Sequence, residues 1–293
     1  MFTRFFATLR MTMVIMKTAY TKNELTAQID SWKAQGLNIG FVPTMGALHE
    51  GHLALVKLAL EKSDRVVVSI FVNPAQFAPH EDFSTYPREE AKDIEKLQNA
   101  GAHIVYLPNE KEIYPDGRES LVKAGPAAQG LESDFRPHFF DGVVNVVYRL
   151  FKQVQPDIAV FGEKDFQQLQ VIREMTEAQN LPIQIIGAPI IRDEHGLALS
   201  SRNAYLSPAQ LDIARSLNKI LSSLRPRTCS GGSNPDGTGL PRRAEALLAM
   251  TDEAKQQLLA HGFDKVDYVE ERWGRILAAV WIGKTRLIDN IAL

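Results

Sequence analysis

Phe41-Val-Pro-Thr-Met-Gly-Ala-Leu-His-Glu-Gly-His52 is the stretch on which the fold turns. Residues 39–42 read as the end of an apolar strand. A Pro-Thr-Met-Gly turn follows, and then His49 and His52, three residues apart. Leu53, Val56 and Leu60 recur at spacings of three and four, the pattern of a helix running to about residue 62. Two histidines therefore stand where a strand gives way to a helix. Free backbone N–H groups and the helix dipole favour a phosphate at such a place. Gly46 and Gly51 lack a Cβ, so a ligand can come close to the backbone. Imidazoles beside a phosphate donate hydrogen bonds and stabilise charge that builds up on it. A zinc-binding His-Glu-x-x-His places its histidines four apart, which this stretch does not. A purely structural pair of turn histidines is the plainer alternative.

Outward from this turn, strands expected at 14–16, 65–71, 103–106, 158–161 and 183–186 alternate with helices at 22–35, 88–99, 142–154 and 165–179. The run Arg65-Val-Val-Val-Ser-Ile-Phe71 is almost wholly apolar, as a strand covered on both faces must be. The alternation predicts an α/β fold, a Rossmann-like doubly wound parallel sheet with right-handed crossovers. Such sheets bind ligands beyond the carboxyl ends of their strands. The character changes after about residue 188. A polar turn at 192–202 leads to a helix at 208–224, a flexible Gly/Pro/Ser/Arg-rich loop at 225–241 and a helix at 242–261. Strands at 265–269, 275–282 and 286–290 complete a smaller C-terminal α+β domain. The expected layout is a disordered extension over 1–12, a nucleotide-binding domain over 13–188 and a lid domain over 189–293. Met13 and Met16 are alternative starts of the folded part.

With 45% hydrophobic residues, the 293-residue chain has ample material for one large core or two. The 33 basic and 35 acidic residues nearly balance at −2 and form no dense basic run, which argues against nucleic-acid binding. No apolar run reaches the length of a membrane span. One cysteine, Cys229, excludes an intrachain disulfide and suits a reducing cytoplasm.

Three further stretches carry chemistry. Phe71-Val-Asn-Pro-Ala-Gln-Phe77 offers the amides of Asn73 and Gln76 to a polar acid, although an Asn-Pro turn is often only a turn. In Phe161-Gly-Glu-Lys-Asp-Phe-Gln-Gln168, Lys164 opens a helix and is suited to phosphate charge, with Gln168 one turn beyond Asp165. In Gly196-Leu-Ala-Leu-Ser-Ser-Arg202, two hydroxyls and a guanidinium stand in a loop that could close over a triphosphate. A solvated charged cap and an ordinary polar loop are the competing explanations of the last two. Arg136-Pro-His-Phe adds a cationic turn. His80, His103 and His261 are isolated and need no functional reading.

The His-x-Gly-His arrangement resembles the signature of the adenylyl-transferring superfamily that includes class I aminoacyl-tRNA synthetases and cytidylyltransferases. The longer Pro-Thr-Met-Gly-Ala-Leu-His-Glu-Gly-His string, with the second and third stretches and the closing Arg286-Leu-Ile-Asp-Asn290, resembles the pantoate–β-alanine ligase family. That resemblance implies ATP-dependent joining of pantoate to β-alanine through a pantoyl adenylate, with Mg²⁺ accompanying ATP. It implies an ATP site made of Met45, Gly46, Ala47, Leu48, His49, Glu50, Gly51 and His52. Gly162, Glu163, Lys164, Asp165, Ile191, Leu199, Ser200, Ser201 and Arg202 would complete the site. His49, His52, Lys164, Ser201 and Arg202 would be catalytic, with His52 as general acid. Gln76 would meet pantoate and β-alanine, and Gln168 pantoate. A cytoplasmic homodimer is also implied; the metal ligands are not.

The chain departs from the family pattern at His138–Phe139, where the histidine comes one place early, and at His195, where aspartate is common. The 225–241 stretch matches nothing in the pattern. Two other functions are open to the sequence: a nucleotidyltransferase acting on a phosphate, and an ATP-binding regulatory protein without turnover. The two glutamines weigh against the first, and intact His52, Lys164 and Arg202 against the second.

Overall fold

The computed structural model describes residues 16–78, 81, 83–224 and 239–293. The extension over 1–12, His80, Cys229 and most of the expected 225–241 loop lie outside the described residues. Six strands form one parallel sheet: β1 Lys17–Ala19, β2 Ile39–Thr44, β3 Arg65–Ile70, β4 Ile104–Tyr106, β5 Ile158–Gly162 and β6 Gln184–Ala188. Their order is β1-β4-β3-β2-β5-β6. The first strand lies later than the sequence suggests; residues 14 and 15 are outside the described set.

The helices around the sheet are α1 Lys22–Ala34, α2 Glu50–Lys62, α3 Glu90–Ala100, α4 Glu110–Ile113, α5 Glu132–Phe135, α6 Phe139–Val154 and α7 Phe166–Ala178. Strand residues alternate between two cores because successive side chains point to opposite faces. Phe41, Val67, Ile104 and Phe161 pack with Leu25 and Ile29 of α1, Phe151 of α6 and Leu169 of α7. Val42, Val66, Val68 and Val160 pack with Val56 and Ala59 of α2 and Leu97 of α3. A sheet covered on both faces is why its central strands read as unbroken apolar runs.

The C-terminal part holds α8 Pro208–Ala214, α9 Ser216–Ser223 and α10 Gly239–Ala260, then an antiparallel sheet of β7 Lys265–Arg272, β8 Arg275–Ile282 and β9 Thr285–Ala292. The helix expected over 208–224 is two helices, parted at Arg215. One face of this small sheet, with Val269, Ile276, Ala278 and Val280, packs on Leu217 and Leu221 of α9 and Leu258 of α10. Tyr268, Leu277 and Ala279 face the other way and join the core under β2 and β5. The two parts therefore share apolar burial as well as polar contacts.

A buried ion cluster reinforces that joint. Arg286 on β9 donates to both carboxylate oxygens of Glu132 on α5, each at 2.8 Å, and to Asp267 on β7 at 2.8 Å. Tyr268 donates its hydroxyl to the same Glu132 at 2.7 Å. Burial and the Glu132 charge push the Tyr268 hydroxyl's pKa up.

Candidate active site

From β2 the chain crosses to β3 on one side; β5, added later, pairs with β2 on the other. The carboxyl ends of β2 and β5 thus flank a topological switch point, where a doubly wound sheet opens a crevice. The histidine turn follows β2 and the Gly162–Asp165 turn follows β5. Residues 163–165 form a single 3-10 turn, and α7 starts only at Phe166.

His49 is the N-cap of α2, the place usually taken by Ser, Thr, Asp or Asn. Its Nδ1 accepts the Gly51 N–H at 3.1 Å, and His52 Nδ1 accepts the His49 N–H at 3.3 Å. The ring centroids are 4.1 Å apart. A Cβ on Gly51 would lie 2.8 Å from the His49 ring, so only glycine lets that ring fold back over the helix start. With both Nδ1 atoms accepting, the proton of each neutral ring sits on Nε2. Burial first, and then the Lys164 and Lys96 charges, pull the pKa of His49 down to about 4. Burial, His49 and the same two lysines pull that of His52 down to about 3. Both imidazoles are therefore neutral near pH 7 and offer Nε2–H to a ligand.

The other stretches converge on this turn. Lys164 is close enough to act on both histidines, and its ammonium lies 3.7 Å from the Asp165 carboxylate. Leu199 comes within 3.7 Å of where a Gly51 Cβ would stand. Leu199 and Ile191 face each other across a small hairpin, Leu199 N–H donating to Ile191 C=O at 2.9 Å. Ser200 caps the following 3-10 turn, its hydroxyl accepting from the Arg202 N–H. Ser201 Oγ lies 3.2 Å from the Tyr86 hydroxyl, and Arg202 stands 6.0 Å from the Tyr86 ring centre. A cavity of about 870 Å³ runs between the two sheets, lined among others by Lys164, Asp165, Gln168, Ser200 and Arg202. The histidine turn and Gln76 are not part of its lining.

Gln76 closes a short 3-10 turn after β3 and points its amide Nε2 at Met45 Sδ, 2.9 Å away. Asn73 does not offer its amide to a ligand. It is buried, donates to the Gly142 carbonyl at 3.1 Å and accepts the Tyr114 hydroxyl at 2.7 Å. The helix α6 presses directly on this turn, since a Cβ on Gly142 would stand 2.4 Å from the Ala75 carbonyl oxygen. Arg136 is committed to Glu81, at 2.6 and 2.7 Å. His138 and His195 are exposed.

Sequence reasoning missed Asp93 and Lys96, both on α3. Asp93 is buried, and its two oxygens accept the N–H groups of Ala47 and Leu48 at 2.8 Å each. Lys96 donates to the Leu48 carbonyl at 2.6 Å. Helix α3 thus grips the peptide just before the histidines, where Ala47 is held at φ 51°, a left-handed conformation that costs a non-glycine residue about 1–2 kcal/mol. The only sequence signal was an aspartate on the inward face of an otherwise amphipathic helix. Among the described residues no group of three or more His, Cys, Asp or Glu is placed to hold a metal, and no helix is long and apolar enough to cross a membrane.

A parallel doubly wound sheet, histidines at its switch point and a cationic loop leading into the C-terminal part define a nucleotide-binding α/β enzyme. The family model described as pantoate-beta-alanine ligase matches residues 17–292. The chain belongs to that family, and it is an ATP-dependent carbon–nitrogen ligase that joins pantoate to β-alanine. It is 50% identical to a pantothenate synthetase of Mesorhizobium japonicum over 91% of this chain and 94% of that one. The crystal structure of a pantoate–β-alanine ligase from Thermus thermophilus superposes with a TM-score of 0.81 at 41% identity, covering 94% of this chain and 99% of that one. A Francisella tularensis pantoate–β-alanine ligase, described as complexed with beta-gamma ATP and β-alanine, gives 0.79 at 35% identity, covering 94% and 97%.

Proposed function

We propose that ATP lies across the crevice between β2 and β5, with residues 45–52 on one side and 162–165, Ile191 and 199–202 on the other. The observation that carries this reading is convergence: Lys164 acts on both histidines while Leu199 packs against Gly51. Glu50 is exposed, so it contributes its backbone N–H at the helix start rather than its carboxylate. Gln76 and Gln168 hold pantoate, and Gln76 also meets β-alanine.

Pantoate's carboxylate oxygen attacks the α-phosphorus; the bond to the bridging oxygen breaks and pyrophosphate leaves with the electron pair. Lys164 and Arg202 neutralise charge on the departing phosphates. His49 and His52 donate Nε2–H to phosphoryl oxygens. The negative phosphates offset the burial that keeps His52 neutral, which suits it to act as general acid when the substrate is bound. The β-alanine amine then attacks the acyl carbon, AMP leaves and the amine loses a proton. Mg²⁺, which the family resemblance adds, would accompany ATP and supply charge screening for its phosphates beside Lys164 and Arg202. Ser201 works with Tyr86 in keeping the 199–202 loop closed, which shields the mixed anhydride from water. The single cysteine and the family resemblance support a cytoplasmic enzyme, and the resemblance adds a homodimer, which sedimentation reads directly.

The test is isotope exchange. With ATP, Mg²⁺, pantoate and labelled pyrophosphate but no β-alanine, label should enter ATP; omitting pantoate should abolish the exchange. Exchange that requires β-alanine would overturn the adenylate route.

A further inference from the structure

Asn290 on β9 is buried, and its side-chain amide is fully used. Nδ2 donates to the carbonyls of Glu163 at 2.8 Å and Lys164 at 3.0 Å. Oδ1 accepts Arg275 Nε at 2.6 Å. A guanidinium can only donate, so this contact fixes which end of the amide is oxygen. Arg275 also reaches the Glu163 carboxylate at 3.3 Å and lies 4.5 Å over the Phe166 ring. Two residues of the C-terminal sheet therefore hold the backbone and side chains of the turn that carries Lys164.

The neighbouring residue holds the other phosphate-facing segment. Asp289 accepts both arms of Arg192, at 2.7 and 2.8 Å, and Arg192 also donates to the Gly196 carbonyl at 3.0 Å. Adjacent residues of one strand thus tie the Lys164 turn and the hairpin leading to Ser200–Arg202 to the same support.

We propose that Asn290, backed by Arg275, is a positioning residue that sets where the Lys164 ammonium stands relative to His49 and His52, and through it the enzyme's hold on ATP. A lysine acts on phosphate as a point charge, so its effect depends on where its backbone is anchored. The anchor comes from the C-terminal domain, so the domain that supplies the closing loop also sets the cation. This inference rests on the reading that Lys164 meets the phosphates.

The experiment is a double-mutant cycle on KM for ATP, using Asn290→Asp, Lys164→Ala and the pair. Asn290→Asp keeps the side chain's shape but turns an oxygen toward two carbonyl oxygens. It should raise KM for ATP about tenfold while KM for β-alanine stays within about twofold. In the Lys164→Ala background the same change should cost less than about twofold. An equal penalty in both backgrounds would make Asn290 merely structural and overturn the proposal. If Lys164→Ala alone leaves KM for ATP unchanged, the phosphate reading of Lys164 fails first, and the inference with it. Should Asn290→Asp not fold, Arg275→Gln carries the same cycle with the same expected and refuting results.

Discussion

Asp93→Ala removes the acceptor for two backbone N–H groups at once, and its cost can be worked from the structure. Both bonds are 2.8 Å long and charge-assisted. Leu48 is buried, so its amide would be left without water or partner, at about 2–3 kcal/mol. Ala47 is half-buried, so water would partly replace the carboxylate and the loss there is nearer to ~1 kcal/mol. The sum is about 3–4 kcal/mol, inside the ~5–15 kcal/mol of an ordinary domain, so the variant should fold. In a chain of this size that is a fall in melting temperature of roughly 5–10 °C. Without the carboxylate the left-handed Ala47 has less to hold it, and the histidines two and five residues on lose their placement. Turnover should fall at least about tenfold, since a shift of about 1 Å in reacting groups can cost a hundredfold. Asp93→Asn keeps one acceptor and should lose about half as much stability. Thermal denaturation and pyrophosphate exchange measure both effects. An Asp93→Ala enzyme with unchanged melting temperature would refute the account of this grip.

In the free enzyme the imidazole resonances of His49 and His52 should not titrate between pH 8 and 5, since their folded pKa values are about 4 and 3. Both values lie below the unfolded value of about 6.5, so these groups weaken the fold as pH falls from about 6.5 toward 4 and 3, where the unfolded chain takes up protons that the fold refuses. NMR titration showing either histidine with a pKa near 6.5 would remove the neutral-donor description. Gly142→Ala should lower stability by about 1–3 kcal/mol and raise KM for pantoate, because the new Cβ must push the Ala75 carbonyl and the Gln76 turn aside. Thermal melts and pantoate kinetics check it. Arg286→Ala should cost about 1.5–3 kcal/mol in denaturant unfolding, since Glu132 and Asp267 lose their shared cation and keep Arg136 at 3.6 Å and Lys265 at 2.8 Å as partners.

Much of this molecule follows from the sequence alone, for a physical reason in each case. Strands buried on both faces must be apolar throughout, so Arg65-Val-Val-Val-Ser-Ile-Phe71 could be read as central, and alternation with helices then required a parallel sheet. The histidine turn was legible because its chemistry is local: a cap, a ring folded over glycine and a helix start all lie within a few residues. That the motifs share one end of the sheet followed from each coming directly after a strand, whereas the strand order that makes β2 and β5 neighbours came from the structure. Only the tertiary structure decided what holds the site in place. Asp93 grips Leu48 from 45 residues away, and Asn290 holds Glu163 across 127. Asn73 looked like a ligand amide and instead donates to Gly142 of α6 and to the Gln76 side chain, while its oxygen accepts from Tyr114 and the Ala75 N–H. Hydrogen bonds between such distant residues leave no period or spacing in the chain, because each partner's position is set by packing of elements that the sequence orders but does not place.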